Sequence, residues 1–415
     1  MKRGIWLNTF AGTEGSAPSL SPRIRDALAR LDQALFAIWD LGDNVLLAWT
    51  HDDGALRFLA VRHYAIAEAV HSSPSQPDQK NNASGFVNDV LSGSKHLAPD
   101  RFRQVCREFG TDPQVLNVDF RVGTDVDIEL INELVRRYSV SLVRGRAVVL
   151  LDAVEFSLQS PLDQMAMLNS LSFSVNSAYR QLLSKEIDVN FARTTTGDGF
   201  YVWNRATSPG ANVELYKLMM LILADNAVAQ RKARSEWVPK LRAAFHVGEH
   251  YEFHQVEGLN PTTFSYIVGQ VTVDLARMIE KSLPGQIVLG DFVLSEEVRP
   301  GHSTRYDTVD FVESTAATLD YLNGIVISGG RIENIRCYLT GQSLGTGRYM
   351  VNRYHIRDKH GTNRVVYNAK INIHRENAEP IFLGIQRDEL LAFSTAKVEA
   401  LNRDANQKGS DFITP

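Results

Sequence analysis

The chain has 415 residues, of which 44% are hydrophobic and 22% are charged, and its formal net charge is -4. This length favours two or three globular domains, and the weak negative charge gives no general affinity for nucleic acid or an anionic membrane. Cys106 and Cys337 form no zinc pattern or disulfide framework, which favours a reducing cytoplasm. No segment has the apolar length of a signal peptide or membrane span, so we expect neither.

The first region, residues 1–139, is predicted to be a small α+β unit. Its expected elements are a helix at 21–35, strands at 44–49 and 56–61, and a helix at 127–138. A polar, proline-containing tract runs from His71 to Asn82. Such a tract buries little apolar surface, so we predict a mobile loop near 71–85.

The second region, residues 140–297, alternates strands and helices. Helices are expected at 161–185, 212–232 and 271–281, and strands at 147–151, 190–195, 200–204, 242–247 and 286–289. This order predicts an α/β sandwich of the α+β type. We take this region as the candidate catalytic domain.

The third region, residues 298–415, has dense β signals around turns such as Asp358-Lys-His-Gly361. We predict a separate β-rich domain here. Its segments Tyr367-Asn-Ala-Lys-Ile-Asn-Ile-His374 and Glu379-Pro-Ile-Phe-Leu-Gly384 resemble sensor-type domains appended to bacterial second-messenger synthases. The tail beyond Arg403 is expected to be frayed.

Two aspartates carry the chemical argument. Asp152 directly follows the apolar run 147–151, and Asp198 lies in a Gly197-Asp-Gly199 turn between β-rich segments. Two carboxylates on adjacent strands, with room for water and phosphate oxygens, suit Mg²⁺. Each also has a structural interpretation, because Asp and Gly tolerate tight turns and Asp152 could cap a helix.

Four motifs in this region resemble the catalytic domain of class III nucleotide cyclases, in the same order. They are Asp152-x-x-x-Phe-Ser157, Thr196-Gly-Asp-Gly-Phe200, Leu241-Arg-Ala-Ala-Phe-His-Val-Gly248, and Tyr266-Ile-Val-Gly-Gln-Val-Thr-Val-Asp-Leu-Ala-Arg277. The resemblance implies a ferredoxin-type core and cyclisation of a nucleoside triphosphate. It also implies two Mg²⁺ or Mn²⁺ ions held by Asp152, Ala153 and Asp198.

The resemblance assigns further residues to the substrate. Amides around Phe156 and Ser157, opening the helix that follows, would hold phosphate oxygens. Arg277 matches the arginine that reaches across a head-to-tail homodimer to the transition-state phosphate. The family places an asparagine four residues before that arginine, where this chain has Val273. Either Asp274 takes the place of the asparagine as a substrate-binding residue, or another group positions the ribose.

Two positions that read the base in this family differ here. Adenylate cyclases carry lysine and aspartate, and guanylate cyclases carry glutamate and cysteine, where this chain has Thr194 and Tyr266. Neither purine pattern is present, and the loss of lysine and aspartate should abolish adenine selection, while a tyrosine would fill the space left by a smaller base. With the two metal aspartates and these altered positions, the chain resembles the pyrimidine cyclases of the bacterial Pycsar anti-phage system. That similarity implies conversion of UTP or CTP to a cyclic product that activates a separate effector protein.

Two alternatives stay open. One is an adenylate or guanylate cyclase with unusual base contacts. The other is a degenerate cyclase-like domain that binds a nucleotide or partner without catalysis, which Val273 favours.

We do not assign a catalytic or binding role to the cationic residues beside these motifs. Strand alternation lets only one of Arg193 and Thr194 face a pocket, and we choose Thr194. Lys240 and Arg242 are interpreted as a solvated start of a strand.

Overall fold

The computed structural model describes residues 20–52, 54–71, 77–206, 208–234, 237–256, 263–299, 302–341, 351–358, 361–386, 390 and 398–400. The fold is α+β, as predicted. The chain divides into two compact units. The first unit comprises Met1–Arg144 and His250–Val268, and the second comprises Gly145–Glu249 and Gly269–Pro415. The predicted frayed tail beyond Arg403 lies outside the described residues.

Helices and strands are interspersed along the described chain. The helices are α1 (Pro22–Trp39), α2 (Ala65–His71), α3 (Pro77–Ser92), α4 (Pro99–Phe109), α5 (Ile128–Arg136), α6 (Pro161–Leu183), α7 (Pro209–Lys232), α8 (Gln270–Lys281) and α9 (Thr308–Ala316). The strands are β1 (Asn44–Asp52), β2 (Ala55–Arg62), β3 (Gln114–Asn117), β4 (Val140–Ala153), β5 (Phe191–Thr195), β6 (Gly199–Asn204), β7 (Leu241–Val256), β8 (Thr263–Val268), β9 (Ile287–Gly290), β10 (Val293–Arg299), β11 (His302–Asp307), β12 (Val326–Ile327), β13 (Gly330–Leu339), β14 (Asn352–Arg357), β15 (Asn363–Glu376), β16 (Ala378–Leu383) and β17 (Val398–Ala400). Among the described residues, no helix combines the length and the apolarity needed to cross a bilayer.

The first unit is built on a three-stranded sheet of order β1-β2-β3. Leu46 and Trp49 pack with helices α1 and α5, whereas Leu47 and Ala48 pack with α3 and α4. A register shift between Leu46 and Ala48 interrupts the alternation of faces along β1. Because both faces of β1 are covered, its middle is continuously apolar instead of alternating with polar residues.

The predicted mobile loop near 71–85 is wrong for its larger part. Helix α3 begins at Pro77, so the polar tract up to Asn82 is helical, and residues 72–76 lie outside the described chain. Proline at the first helical position is already set to a helical φ angle. The second half of the helix buries Val87, Val90 and Leu91, so tertiary packing stabilises a helix that its polar start does not predict.

The second unit contains the larger sheet, whose order is β12-β13-β15-β9-β7-β4-β6-β5. Strands β7 and β9 pair in parallel, and β4, β5 and β6 pair antiparallel. Helices α6, α7 and α9 share one hydrophobic core with this sheet, through residues such as Leu171, Leu218 and Phe311. The opposite face carries buried apolar residues such as Val148 and Trp203 together with the polar residue Asp152.

The predicted separation of a C-terminal domain at residue 298 is wrong. Strand β15 pairs with β9, with Val366 opposite Gly290 and Ala369 opposite Ile287. Ile335 and Ile371 belong to the same core as helices α6 and α7. The predicted boundary at 139/140 also differs from the division, because residues 250–268 join the first unit. The C-terminal strands join the larger sheet because β15 pairs with β9 and so satisfies hydrogen-bonding groups at an edge that would otherwise be unpaired.

Candidate active site

One face of the larger sheet carries the predicted metal ligand Asp152. Asp152 lies opposite Gly199 and Leu150 lies opposite Tyr201, while Thr194 also lies opposite Tyr201. Directly opposed residues in an antiparallel pair share a face. We call the side that carries Asp152, Tyr201 and Thr194 the aspartate face. The other face packs against the helices through alternate residues of β4, namely Ala147, Val149, Leu151 and Ala153.

The turn between β5 and β6 places Asp198 beside the end of β4. Gly197 adopts a φ of +101°, which a glycine accepts without strain. The amide of Ala153 donates to the carbonyl oxygen of Asp198 at 2.9 Å, and Thr196 Oγ1 donates to Asp198 Oδ1 at 3.0 Å. The charge of Asp198 contributes to raising the pKa of Asp152. The two carboxylates therefore interact electrostatically at one end of the sheet.

Gly199 is required for this close approach of β6 to β4. A Cβ at Gly199 would lie 1.8 Å from the carbonyl oxygen of Leu151, so Gly199→Ala must displace backbone. We expect the variant to lose about 3 kcal/mol of unfolding free energy, measured by chemical denaturation. Gly210→Ala is the matched control, because no atom lies within 4 Å of its Cβ position and alanine favours a helix. Equal stability of the two variants would contradict this account.

Arg242 contacts Asp152, and the sequence did not predict this contact. Its Nε and Nη2 donate to Asp152 Oδ2 at 2.8 and 2.5 Å, and Asp152 is only 6% exposed. The interpretation of Arg242 as a solvated residue is therefore wrong, whereas Lys240 is exposed. Ala243 and Phe245, which follow Arg242 in β7, lie in the helix-covered core. Because side chains alternate between the two faces of a strand, Arg242 lies on the aspartate face, and this alternation could have predicted its position.

The pKa of the Asp152 carboxyl reflects three opposing influences. Burial raises it most, the hydrogen bonds and charge of Arg242 lower it, and the nearby Asp198 carboxylate raises it again. The net pKa is above the usual value of aspartic acid. A divalent cation bound here would offset both the burial and the repulsion, since it favours the ionised form.

Phe156 and Ser157 lie just beyond the end of β4, but they do not open the following helix as predicted. They belong to a 3₁₀ turn at Phe156–Leu158, whereas α6 begins at Pro161 behind the cap residue Ser160. Pro161 sets the helix start because its fixed φ suits the first position. Within the described residues, the amides of Phe156 and Ser157 have no hydrogen-bond partner, so they stay available to an anionic ligand.

Helix α8 is attached to the aspartate face at its N-terminal turn. The hydroxyl of Tyr201 donates to the carbonyl oxygen of Thr272 at 3.0 Å. Val273 is 45% exposed on this helix, and Arg277 follows one turn later on the same side. Arg277 Nη1 contacts Glu280 Oε2 at 3.2 Å. Val273 and Arg277 thus lie on the same side of the helix, where Val273 is exposed and the Arg277 side chain is 23% exposed.

Asp274, on the same helix as Arg277, contacts three polar side chains. Its Oδ1 accepts hydrogen bonds from Gln270 Nε2 at 2.8 Å and from Arg364 Nε at 2.7 Å. Its Oδ2 lies 3.7 Å from His246 Nε2. A ribose hydroxyl at Asp274 would have to compete with these groups.

The predicted base-reading residues occupy two places in the structure. Thr194 is half-buried on the aspartate face, and Arg193 lies on the opposite face, with its guanidinium 4.9 Å from the centre of the Phe200 ring. Tyr266 belongs to the first unit, where it pairs with Phe253 across β7 and β8. Their rings are stacked with centroids 5.9 Å apart.

The donor set at the end of β4 fits a hard divalent cation. Asp152 and Asp198 supply carboxylate oxygens, and Ala153 adds a backbone carbonyl next to them. Among the described residues, there is no group of three or more His, Cys, Asp or Glu side chains that could hold a metal. Mg²⁺ commonly uses only one or two carboxylates together with water and substrate phosphates, so a set of two agrees with ions that bind with the nucleotide.

No protein-family model and no curated protein matches the chain. Among solved structures, it is similar to the guanylate cyclase domain of RhGC from Catenaria anguillulae in complex with GTP, at 13% identity over 57% of this chain and 100% of that chain, with a TM-score of 0.33. It is also similar to the adenylyl cyclase CyaB from P. aeruginosa, at 11% identity over 58% of this chain and 97% of that chain, with a TM-score of 0.33. These TM-scores are too low to assign a function to the chain.

Proposed function

We propose that this chain is a nucleotide cyclase that converts a nucleoside triphosphate to its 3′,5′-cyclic monophosphate and pyrophosphate. The observation that supports the proposal is the contact between the two strand ends, where the amide of Ala153 donates to the carbonyl oxygen of Asp198 at 2.9 Å and Asp152 lies opposite Gly199. Two carboxylates beside the amides of Phe156 and Ser157, which have no hydrogen-bond partner among the described residues, suit a metal–triphosphate complex. The order of the four cyclase-like motifs supports the same reaction.

In this reaction the ribose 3′-oxygen bonds to the α-phosphorus while the bond from that phosphorus to the bridging oxygen breaks. Pyrophosphate leaves, and the hydroxyl proton passes to water. Bound Mg²⁺ or Mn²⁺ would lower the pKa of the 3′-hydroxyl and neutralise the triphosphate. Asp152, Asp198 and the carbonyl of Ala153 would hold the ions, and the amides of Phe156 and Ser157 would bind phosphate oxygens.

Arg242 and Arg277 would have different tasks. Arg242 donates from Nε and Nη2 to Asp152 Oδ2 and from Nη1 to the carbonyl oxygen of Ser282, so this arginine would orient the carboxylate and leave Oδ1 for a cation. Arg277 would stabilise charge on the transition-state phosphate through its planar guanidinium. In a head-to-tail homodimer, Arg277 of one chain would serve the aspartates of the other.

The proposed substrate is UTP or CTP. Thr194 and Tyr266 stand where purine cyclases carry other residues, and a site without the matching groups discriminates against the purine edge. By its resemblance to Pycsar cyclases, which rests on the same two residues, the chain would be a second-messenger synthase in anti-phage defence, with a product that activates a separate effector.

Product identity tests the proposal. The purified full chain, incubated with each of the four nucleoside triphosphates and Mn²⁺, is expected to form cyclic UMP or cyclic CMP, identified by mass spectrometry. Formation of only cyclic AMP or cyclic GMP would reject the pyrimidine assignment and keep the cyclase assignment.

A second candidate function is nucleotide binding without catalysis. The exposed Val273 favours it, because a valine cannot form the hydrogen bond of the asparagine that the family places there. Calorimetric binding of a triphosphate without product from any of the four would support this candidate.

A further inference from the structure

A chain of ion pairs joins the C-terminal strands to helix α8 in the second unit. Arg364 of β15 donates from Nε to Asp274 Oδ1 at 2.7 Å and from Nη1 to Asp358 Oδ2 at 2.5 Å. The side chains of Arg364, Asp274 and Asp358 are 15%, 17% and 5% exposed. These charges are largely shielded from water, so each depends on the others for compensation.

Asp358, the last residue in this series of ion pairs, is itself held by hydrogen bonds to the backbone. The amide of Thr362 donates to Asp358 Oδ1 at 2.9 Å, and the amide of Asp358 donates to the carbonyl of Thr362 at 3.1 Å. The turn after β14 therefore orients Asp358, and Asp358 orients Arg364. The planar guanidinium spans the two carboxylates with different nitrogens, which a lysine cannot do in the same geometry.

We infer that Arg364 and Asp274 are positioning residues, which hold helix α8 in the orientation that presents Arg277. Asp274 lies three residues before Arg277, within one helical turn, so a shift or rotation of the helix at Asp274 moves Arg277 with it. This inference rests on the proposed cyclase function. It gives the C-terminal strands a part in catalysis although none of their residues needs to touch the nucleotide.

The first test measures the helix without substrate. Arg364→Gln should increase hydrogen exchange of amides in α8, because its bond to Asp274 is lost. The matched control is Arg353→Gln in the full-length protein. Arg353 Nη2 also pairs with an aspartate, Asp291, at 2.7 Å, but none of its contacts within the described residues involves α8. Unchanged exchange in α8 of Arg364→Gln would overturn the inference.

The second test measures catalysis. Arg364→Gln should lower kcat by about ten- to a hundredfold, as expected for a misplaced catalytic group, with KM almost unchanged. Arg353→Gln should keep the wild-type kcat. In an Arg277→Ala background, Arg364→Gln should have little further effect, because both changes remove the same contribution.

Equal fold-losses from Arg364→Gln in the two backgrounds would show that Arg364 does not act through Arg277 and would overturn the inference. If Arg364→Gln does not fold, Asp274→Asn removes the same ion pair at constant volume and is judged by the same two readouts. A wild-type chain that forms no cyclic nucleotide would refute the proposed function and this inference together. An active enzyme whose α8 exchange is insensitive to both variants would refute the inference alone.

Discussion

Asp198→Asn is expected to abolish cyclic-nucleotide formation while the fold stays intact. The amide cannot supply the anionic oxygen that a divalent cation needs, and we expect a loss of at least about 10³-fold, which corresponds to ~4 kcal/mol of transition-state stabilisation. The backbone bond from Ala153 to the carbonyl of residue 198 does not depend on the side chain. Product formation by mass spectrometry and Mn²⁺ binding by calorimetry should fall together.

Asp188→Asn provides the control for Asp198→Asn, because Asp188 is an exposed aspartate of the same unit that bonds Tyr179. Its turnover should match the wild type.

The raised folded-state pKa of Asp152 also affects stability. At neutral pH, ionised Asp152 lowers the free energy of unfolding of the metal-free protein, and this destabilisation disappears as the pH falls through that pKa. Removal of the Asp198 charge should therefore leave the metal-free thermal midpoint unchanged or higher. Retained turnover in Asp198→Asn would discard the two-metal assignment.

Arg277→Ala is expected to lower kcat by about 10³-fold or more, as loss of a phosphate-stabilising arginine does in other phosphoryl-transfer sites. Neither Val273 nor Glu280 on the same helix can replace its positive charge. KM for the triphosphate should change little, because the guanidinium acts on charge that develops in the transition state. Steady-state kinetics with the preferred triphosphate measures both constants, and Lys281→Ala on the same helix is the control.

Mixing the two inactive variants tests whether the active site lies between two chains. In a head-to-tail dimer, Asp198→Asn paired with Arg277→Ala has one site with both intact groups. Random assortment should then recover about a quarter of the wild-type activity, since half of the dimers each carry one intact site. Recovery should require the mixture, and each variant alone should stay inactive. No recovery after verified chain exchange would reject the shared site.

The local pattern of the sequence predicts the elements around Asp152 and Asp198 well. The apolar run at 147–151 lies inside β4, and the helix expected at 161–185 is observed from Pro161 to Leu183. Gly197 and Asp198 form the turn after β5, and Gly199 begins β6. These features depend on residues close together in the chain, through hydrophobic period and turn chemistry.

The partners of the charged side chains were not predictable in the same way. Arg242 and Asp152 are 90 residues apart, and so are Arg364 and Asp274. Their contacts depend on which strands pair and on the register of those pairs. The prediction of a loop over the polar tract was wrong for a similar reason, because helix α3, which begins at Pro77, is stabilised by burial of residues near its C-terminal end.

The sequence by itself therefore determined the α+β character of the chain, most elements of the candidate catalytic segment, and two aspartates at predicted neighbouring strand ends. Only the tertiary structure decided that β15 extends the same sheet through β9, that Arg242 binds Asp152, and that Arg364 ties α8 to the C-terminal strands. The physical reason is that backbone periodicity and turns are encoded locally, whereas burial of charges and closure of strand edges require segments far apart in the chain to meet.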